Sequence, residues 1–287
     1  MQTIDVRGYI VPDEDVFFYR FFGYSVTAPK DIYAALKKAG KEPVTVRINS
    51  YGGDVWSGSE IYTTLREHEP GVTTLATGLA ASAASIILMA GNTVRASPTA
   101  EIMIHNPSSR ASGDHRAMEQ AARSLRNTRE AIANAYELKT GLARTKLRNM
   151  LDAETWMTAQ SAQEMGFVDE ILFDEDGKLN SAEPEETEND SGNAGAKAAA
   201  FSMPSCAELR ARYAVWNEIA PGARTIDEAR EMLAESREAQ THGDEPEREE
   251  AQAAEQEPAE ENENDTELQS KKDALELMRA RVMTLAT

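Results

Sequence analysis

Four short stretches hold the side chains that could do chemistry. Ser82 lies in Gly78-Leu79-Ala80-Ala81-Ser82-Ala83, where a strand pattern gives way to a run of small residues. A serine at such a strand-to-helix turn presents its hydroxyl near the positive end of the helix. His105 closes Ile102-Met103-Ile104 just ahead of Asn106-Pro107, and an imidazole is the side chain best able to take up a hydroxyl proton near neutral pH. Asp152-Ala153-Glu154-Thr155-Trp156 sets an acid beside an aromatic, the kind of group that orients an imidazole and stabilises its charged form. The Gly52-Gly53 pair can turn backbone N–H groups toward a developing oxyanion, each donor supplying roughly 3 kcal/mol. Together these are the parts of acyl transfer through a serine. Taken singly, each has an ordinary explanation. Ser82 fits a tight helix–sheet contact, with Ser85 a rival one turn on, and His105 a structural histidine. The acids fit a helix terminus or a surface, and the glycines a plain turn. His68, His115 and His242 sit on a surface helix end, a polar helix and the tail. No Gly-Lys-Ser/Thr follows the glycines, so they do not read as a phosphate loop. The histidines and the single cysteine show no metal-ligand spacing.

The elements that must position these residues alternate. Strands are expected at 4–11, 44–48, 72–77, 93–96, 101–105 and 168–173, and helices at 29–40, 58–68, 113–139, 144–151 and 159–165. Residues 49–54 read as a tight loop, because paired glycines permit unusual backbone angles. The run 79–90, small residues then large apolar ones, reads as a buried helix close against a sheet. Strand and helix in alternation imply a layered α/β domain with right-handed crossovers. That places the Gly52-Gly53 loop and the Gly78 loop at the carboxyl ends of neighbouring strands, where reacting groups collect in open α/β sheets.

The 287-residue chain has a net charge of −19, 41% hydrophobic residues and 6% aromatics, unevenly spread. Residues 1–173 hold 20 acidic and 18 basic side chains, a balance of −2, whereas 174–287 hold 29 and 12, a balance of −17. The front reads as a near-neutral globular domain over 1–173 and the rest as an acidic, largely disordered or helical extension. Within it, 174–204 reads as a linker, 205–240 as a short helical segment, 241–266 as disordered, and 267–287 as an amphipathic helix. Such acidity repels phosphates and argues against a nucleic-acid ligand. Cys206 is the single cysteine, which precludes an intrachain disulfide and suits a reducing compartment. The N-terminus lacks a signal-peptide pattern, and the longest low-charge stretch is interrupted by glycines, so no membrane span is expected.

Ile48-Asn49-Ser50-Tyr51-Gly52-Gly53, Gly78 to Ser82, Met103-Ile104-His105-Asn106-Pro107 and the Trp156-to-Asp169 stretch occur in this order. Together they resemble the proteolytic subunit of the Clp protease over about residues 1–173. The short domain, Glu154-Thr155-Trp156 and the acidic extension are most similar to the phage and prophage branch, the Clp-like head maturation proteases. The resemblance implies a Clp/crotonase-type layered α/β fold of repeated β-β-α-like units. It makes Ser82 the nucleophile and His105 the general base, with the N–H groups of Gly53 and Ala83 as oxyanion hole. The third member falls at Glu154, where the wider family has Asp, with Asp152 as the alternative. Tyr51 stands where the family has Pro, and Ala83 where it often has Met. Neither a metal nor an organic cofactor is implied. Polypeptides, capsid or scaffold proteins among them, are the implied substrates. A homo-oligomeric ring stacked through helix 113–139 is implied, in a bacterial host cytoplasm, with no nucleic-acid or membrane partner. Whether an ATP-driven unfoldase feeds it is left open. Two other readings stand beside this one: a crotonase-like acyl-CoA enzyme, which shares a two-amide oxyanion hole, and an assembly or scaffold protein on a protease-derived platform.

Overall fold

The computed structural model describes residues 2–174, 179 and 204–241, the last six of them in backbone only. The readings of 242–266 and of an amphipathic helix beyond lie outside these residues, as does most of 175–203. The first strand, β1 (Gln2–Ile10), is flanked by β3 (Val44–Gly53), which is flanked in turn by β4 (Val72–Ala81), all parallel. The short β2 (Val26–Thr27) adds to the outer edge of β1, and β5 (Thr93–Ala96) and β8 (Glu170–Ile171) extend the other side. The far end of β4 pairs instead with β6 (Glu101–Ile104), whose outer edge carries the antiparallel β7 (Thr155–Thr158). Parallel strands need long return connections. Here α2 (Pro29–Ala39), α3 (Val55–Arg66), α4 (Ala83–Leu88) and α5 (His115–Thr140) supply them, followed by α6 (Arg144–Asp152) and α7 (Ala159–Glu164). The layered α/β expectation therefore stands.

The core sits between sheet and helices. Val46, Ile48, Ile61, Ile87, Leu88, Ile102, Ile104 and Phe167 are fully buried, and each such side chain contributes about 1.5–3 kcal/mol relative to exposure. Every residue of α4 is buried. Its small N-terminal residues permit this: a Cβ on Gly58 of α3 would already lie 3.1 Å from that of Ala83.

Several boundaries differ from the sequence reading. β3 does not end in a loop at residue 49. Pairing with β1 continues through a bulge at Gly8/Tyr9, so that Tyr9 lies opposite Gly52 and Ile10 opposite Gly53. β4 likewise continues past Gly78, and Ser50 lies opposite Ala80. The chain turns at Ser82 rather than at Gly78, so residues 79–81 belong to strand, not helix. The sequence reading also lacks α1 (Val16–Phe21) and β7. Both are too short for periodicity to reveal them. In the stretch 205–240 stand two helices, α8 (Cys206–Ile219) and α9 (Ile226–Thr241). No helix among the described residues is long and apolar enough to cross a membrane.

Candidate active site

Ser82 joins β4 to α4 with φ 55° and ψ −125°, a region that costs a non-glycine residue of order 1–3 kcal/mol and persists only where its surroundings enforce it. Here the surroundings are specific. The Ser82 N–H donates to the Met103 carbonyl at 2.9 Å, and the Ser82 carbonyl accepts from the Ser85 hydroxyl at 2.6 Å. The turn leaves Ser82 half-buried in the lining of a cleft of about 530 Å³.

Sheet register brings the imidazole to it. Ala81 lies opposite Met103 in the β4–β6 pair, so the residues just past both strand ends meet. His105 Nε2 stands 2.7 Å from Ser82 Oγ. The antiparallel β6–β7 pair sets Ile104 opposite Thr155, and the next step of that register brings Glu154 toward His105. Glu154 holds a positive φ of 50°, and its Oε1 is buried without a hydrogen-bond partner. Burial pushes His105 below the ordinary histidine value of 6.5, and the Glu154 charge partly restores it.

Asp152 is placed differently. It is exposed, accepts a 2.7 Å hydrogen bond from Asn106 Nδ2, and lies 3.4 Å from Arg129 Nη1. With the Asn106 N–H bonded to the Leu151 carbonyl at 3.1 Å, these contacts tie the strand end that carries His105 to the turn that carries Glu154. Of the two acids, Glu154 is thus the one whose charge acts on the imidazole, and Asp152 braces its neighbour.

The glycine pair is demanded by close approach. A Cβ on Gly52, where φ is +92°, would stand 2.7 Å from Ser82 Cβ and 2.9 Å from the Ala83 nitrogen. A Cβ on Gly53, where φ is +147°, would stand 2.1 Å from the Ile10 carbonyl oxygen. Ser50 holds the bend, donating to the Gly8 carbonyl at 2.6 Å and accepting the Gly52 N–H at 3.1 Å. Asp54 then caps α3 by accepting from the Ser57 N–H at 2.7 Å. Gly53, Ser82, Ala83 and His105 all line the one cleft.

Ser85, the rival of Ser82 in the sequence, is fully buried. Its hydroxyl is held between the Ser82 carbonyl and the Tyr136 hydroxyl, the latter at 2.8 Å. Burial pushes the Tyr136 phenol up, so it stays protonated. Ser85 therefore supports the turn and presents no hydroxyl to solvent. Its place three residues into a short buried helix is the sequence signal for this. No local pattern distinguishes Tyr136, and Asn106 enters the sequence reading only as part of the motif around His105. His68 bonds the Glu42 carbonyl at 2.8 Å, away from the cleft.

A hydroxyl within hydrogen-bond reach of an imidazole, a half-buried carboxylate whose charge acts on that imidazole, and backbone N–H groups on tight turns can carry out acyl transfer without a metal. Among the described residues, no group of three or more His, Cys, Asp or Glu is arranged to hold one. Compared with known families, residues 23–175 match the model of the Clp protease family, over more than half of the chain and across Gly52, Gly53, Ser82, Ala83, His105, Asp152 and Glu154.

Proposed function

Because the chain belongs to the Clp protease family, a family of serine peptidases that are typically oligomeric and act on polypeptides, we propose that Ser82 is the nucleophile of a serine endopeptidase. The fold we assign is the Clp/crotonase type, with residues 1–173 as the protease domain. The observation that carries this reading is the 2.7 Å Ser82–His105 contact at a turn held in positive φ.

In this mechanism His105 Nε2 takes the Ser82 proton as Oγ attacks the peptide carbonyl carbon. The carbonyl oxygen becomes an oxyanion and rests on the N–H groups of Gly53 and Ala83. Glu154 stabilises the imidazolium that forms and holds its tautomer. The imidazolium then gives its proton to the leaving amine, and the C–N bond breaks. Water, deprotonated by His105, attacks the acyl-enzyme, and the acid product leaves as Ser82 regains its proton.

The natural substrates we assign are capsid or scaffold proteins in phage head maturation, cut by a homo-oligomeric ring in the host cytoplasm. Support for this comes from glutamate at position 154 and from the acidic extension. The test is cleavage of casein and of a capsid precursor by wild type and Ser82→Ala. The variant is expected to lose activity by about 10⁶-fold, as loss of a serine nucleophile does elsewhere. Unchanged cleavage overturns the assignment. A fluorophosphonate should label wild type at Ser82, and absence of label would instead favour an acyl-CoA enzyme.

A further inference from the structure

The cleft that holds Ser82 has a wall from outside the family match. Ser205 and Cys206, at the start of α8, line it together with Pro12, Asp15 and Tyr19 from the β1–α1 region. These are the first residues after the acidic linker, a stretch that the peptidase reading leaves without a role.

The placement is built rather than incidental. Leu209 is completely buried, packed with Val11, Val16, Tyr19, Val26 and Ala28 in an apolar cluster separate from the main core. One turn on, Tyr213 meets Phe17, Phe18 and Phe21 edge to face, with ring centroids 5.1, 5.6 and 4.9 Å apart. Residues four apart share one helix face, so one stripe of α8 sits on α1. Polar contacts fix the end nearest the cleft. Asp15 accepts from the Cys206 thiol at 2.8 Å and from Arg210 Nη2 at 2.9 Å. The Arg210 guanidinium also lies 5.0 Å over the Phe18 ring. The Tyr19 hydroxyl donates to the Pro204 carbonyl at 3.0 Å. Burial pushes the Tyr19 phenol up to about 12 and raises the Cys206 thiol, so both remain protonated donors.

We propose that α8 is a docked end wall of the substrate cleft, held on α1 through Leu209, Tyr213 and the Asp15–Arg210 pair, and that it makes the enzyme discriminate substrates by chain length. A short peptide needs only the cleft beside Ser82. An extended polypeptide running on past that point meets Ser205 and Cys206 and must displace them. The selectivity rests on Ser82 being the nucleophile; the docking does not.

The full-length chain carrying Leu209→Asp and Arg210→Glu tests this. Cys206 is the only cysteine in the chain, so its alkylation by iodoacetamide reports docking without any need for activity. Undocking should speed alkylation on the order of 10-fold, because it bares the half-buried thiol and breaks the Asp15 hydrogen bond that keeps it protonated. It should raise kcat/KM for unfolded casein by about 5-fold while a short fluorogenic peptide changes by less than about twofold. Faster alkylation with an unchanged casein-to-peptide ratio overturns the length role. Unchanged alkylation overturns the docking. If circular dichroism shows the double variant unfolded, Arg210→Glu alone replaces it: the same two shifts, smaller, support the proposal, and no shift overturns it. Persistent activity in Ser82→Ala would defeat the nucleophile assignment while leaving the alkylation result standing.

Discussion

At the scale of single residues, the site is marked by two strained backbone positions and an unsatisfied carboxylate oxygen. Ser82 and Glu154 both hold positive φ, and Glu154 Oε1 is buried without a partner. Buried acceptors are almost always satisfied, so one on the residue whose charge acts on His105 has meaning. With Nε2 at Ser82 Oγ, the other ring nitrogen, Nδ1, carries the N–H of the neutral imidazole, and a carboxylate nearby favours that tautomer and the imidazolium formed from it. Glu154→Gln should therefore lower kcat by about 10³–10⁴-fold, the scale seen when an orienting acid is lost. Asp152→Asn, which loosens only the Asn106 and Arg129 contacts, should cost less than about 10-fold. Equal losses in the two variants would reverse the assignment. The pH profile adds a second readout. His105 must be neutral to act, and burial holds its pKa below 6.5, so the acid limb of kcat/KM should fall below that pH. Removing the Glu154 charge lowers the pKa further, so the limb of residual Glu154→Gln activity should move to lower pH, not higher. The same shift bears on stability. The unfolded chain takes up this proton first as pH falls, so His105 begins to destabilise the fold below 6.5 and progressively more down to its folded pKa.

At the scale of elements, two neighbouring parallel strands carry the candidate residues past the expected strand ends. β3 delivers Gly52 and Gly53 and β4 delivers Ser82, while β6 and β7 bring His105 and Glu154 from the other side. Close approach of backbones is what this arrangement demands, and glycine is what permits it. Gly53→Ala places a methyl 2.1 Å from the Ile10 oxygen, so β1 or the bend must shift. The expected result is a loss of about 1–3 kcal/mol in stability and of about 10²–10³-fold in kcat as one amide donor moves. Gly40→Ala is the control: its φ is +62° but nothing lies within 4 Å of the added carbon. It should cost about 1–2 kcal/mol in thermal or denaturant unfolding and leave kcat unchanged.

At the scale of the whole molecule, the exposed half of α5 stands out. Residues 115–127 include no buried side chain, and burial in this helix begins only at Thr128. Only the stripe of Ala117, Ala121 and Leu125 is even half-buried there, so this half of the helix gains little from its own chain, and Met118 remains 41% exposed. A second copy of the chain would supply what is missing, in keeping with an oligomeric family. The purified protein should sediment as an assembly. Met118→Glu should shift it toward smaller species with circular dichroism unchanged, and a monomeric wild type would refute the ring. If the enzyme also trims its own tail, mature particles should lack the intact 287-residue chain, which mass spectrometry can read directly.

How much was legible follows from the range of each interaction. The α/β alternation, the buried strands Val44-Thr45-Val46-Arg47-Ile48 and Val72 to Thr77, and the end of α2 at Gly40 are local patterns of period and turn chemistry, and they were readable. So were Ser82, His105 and the glycine pair as candidates, because their order along the chain is itself a signature. The strand extension through Gly53 and Ala81 was not, since it depends on register with β1 and β6. Nor was the division of labour between Asp152 and Glu154. Two residues apart in sequence, they are told apart by their surroundings: the Glu154 charge acts on His105, while Asp152 bonds Asn106 and Arg129. Ser85 and Tyr136 meet across fifty-one residues, and Leu209 finds its cluster nearly two hundred residues from Val11. The sequence by itself determined which groups were available and in what order. Only tertiary packing decided which of them touch, because desolvation, strand register and close contact arise between segments that carry no local mark of each other.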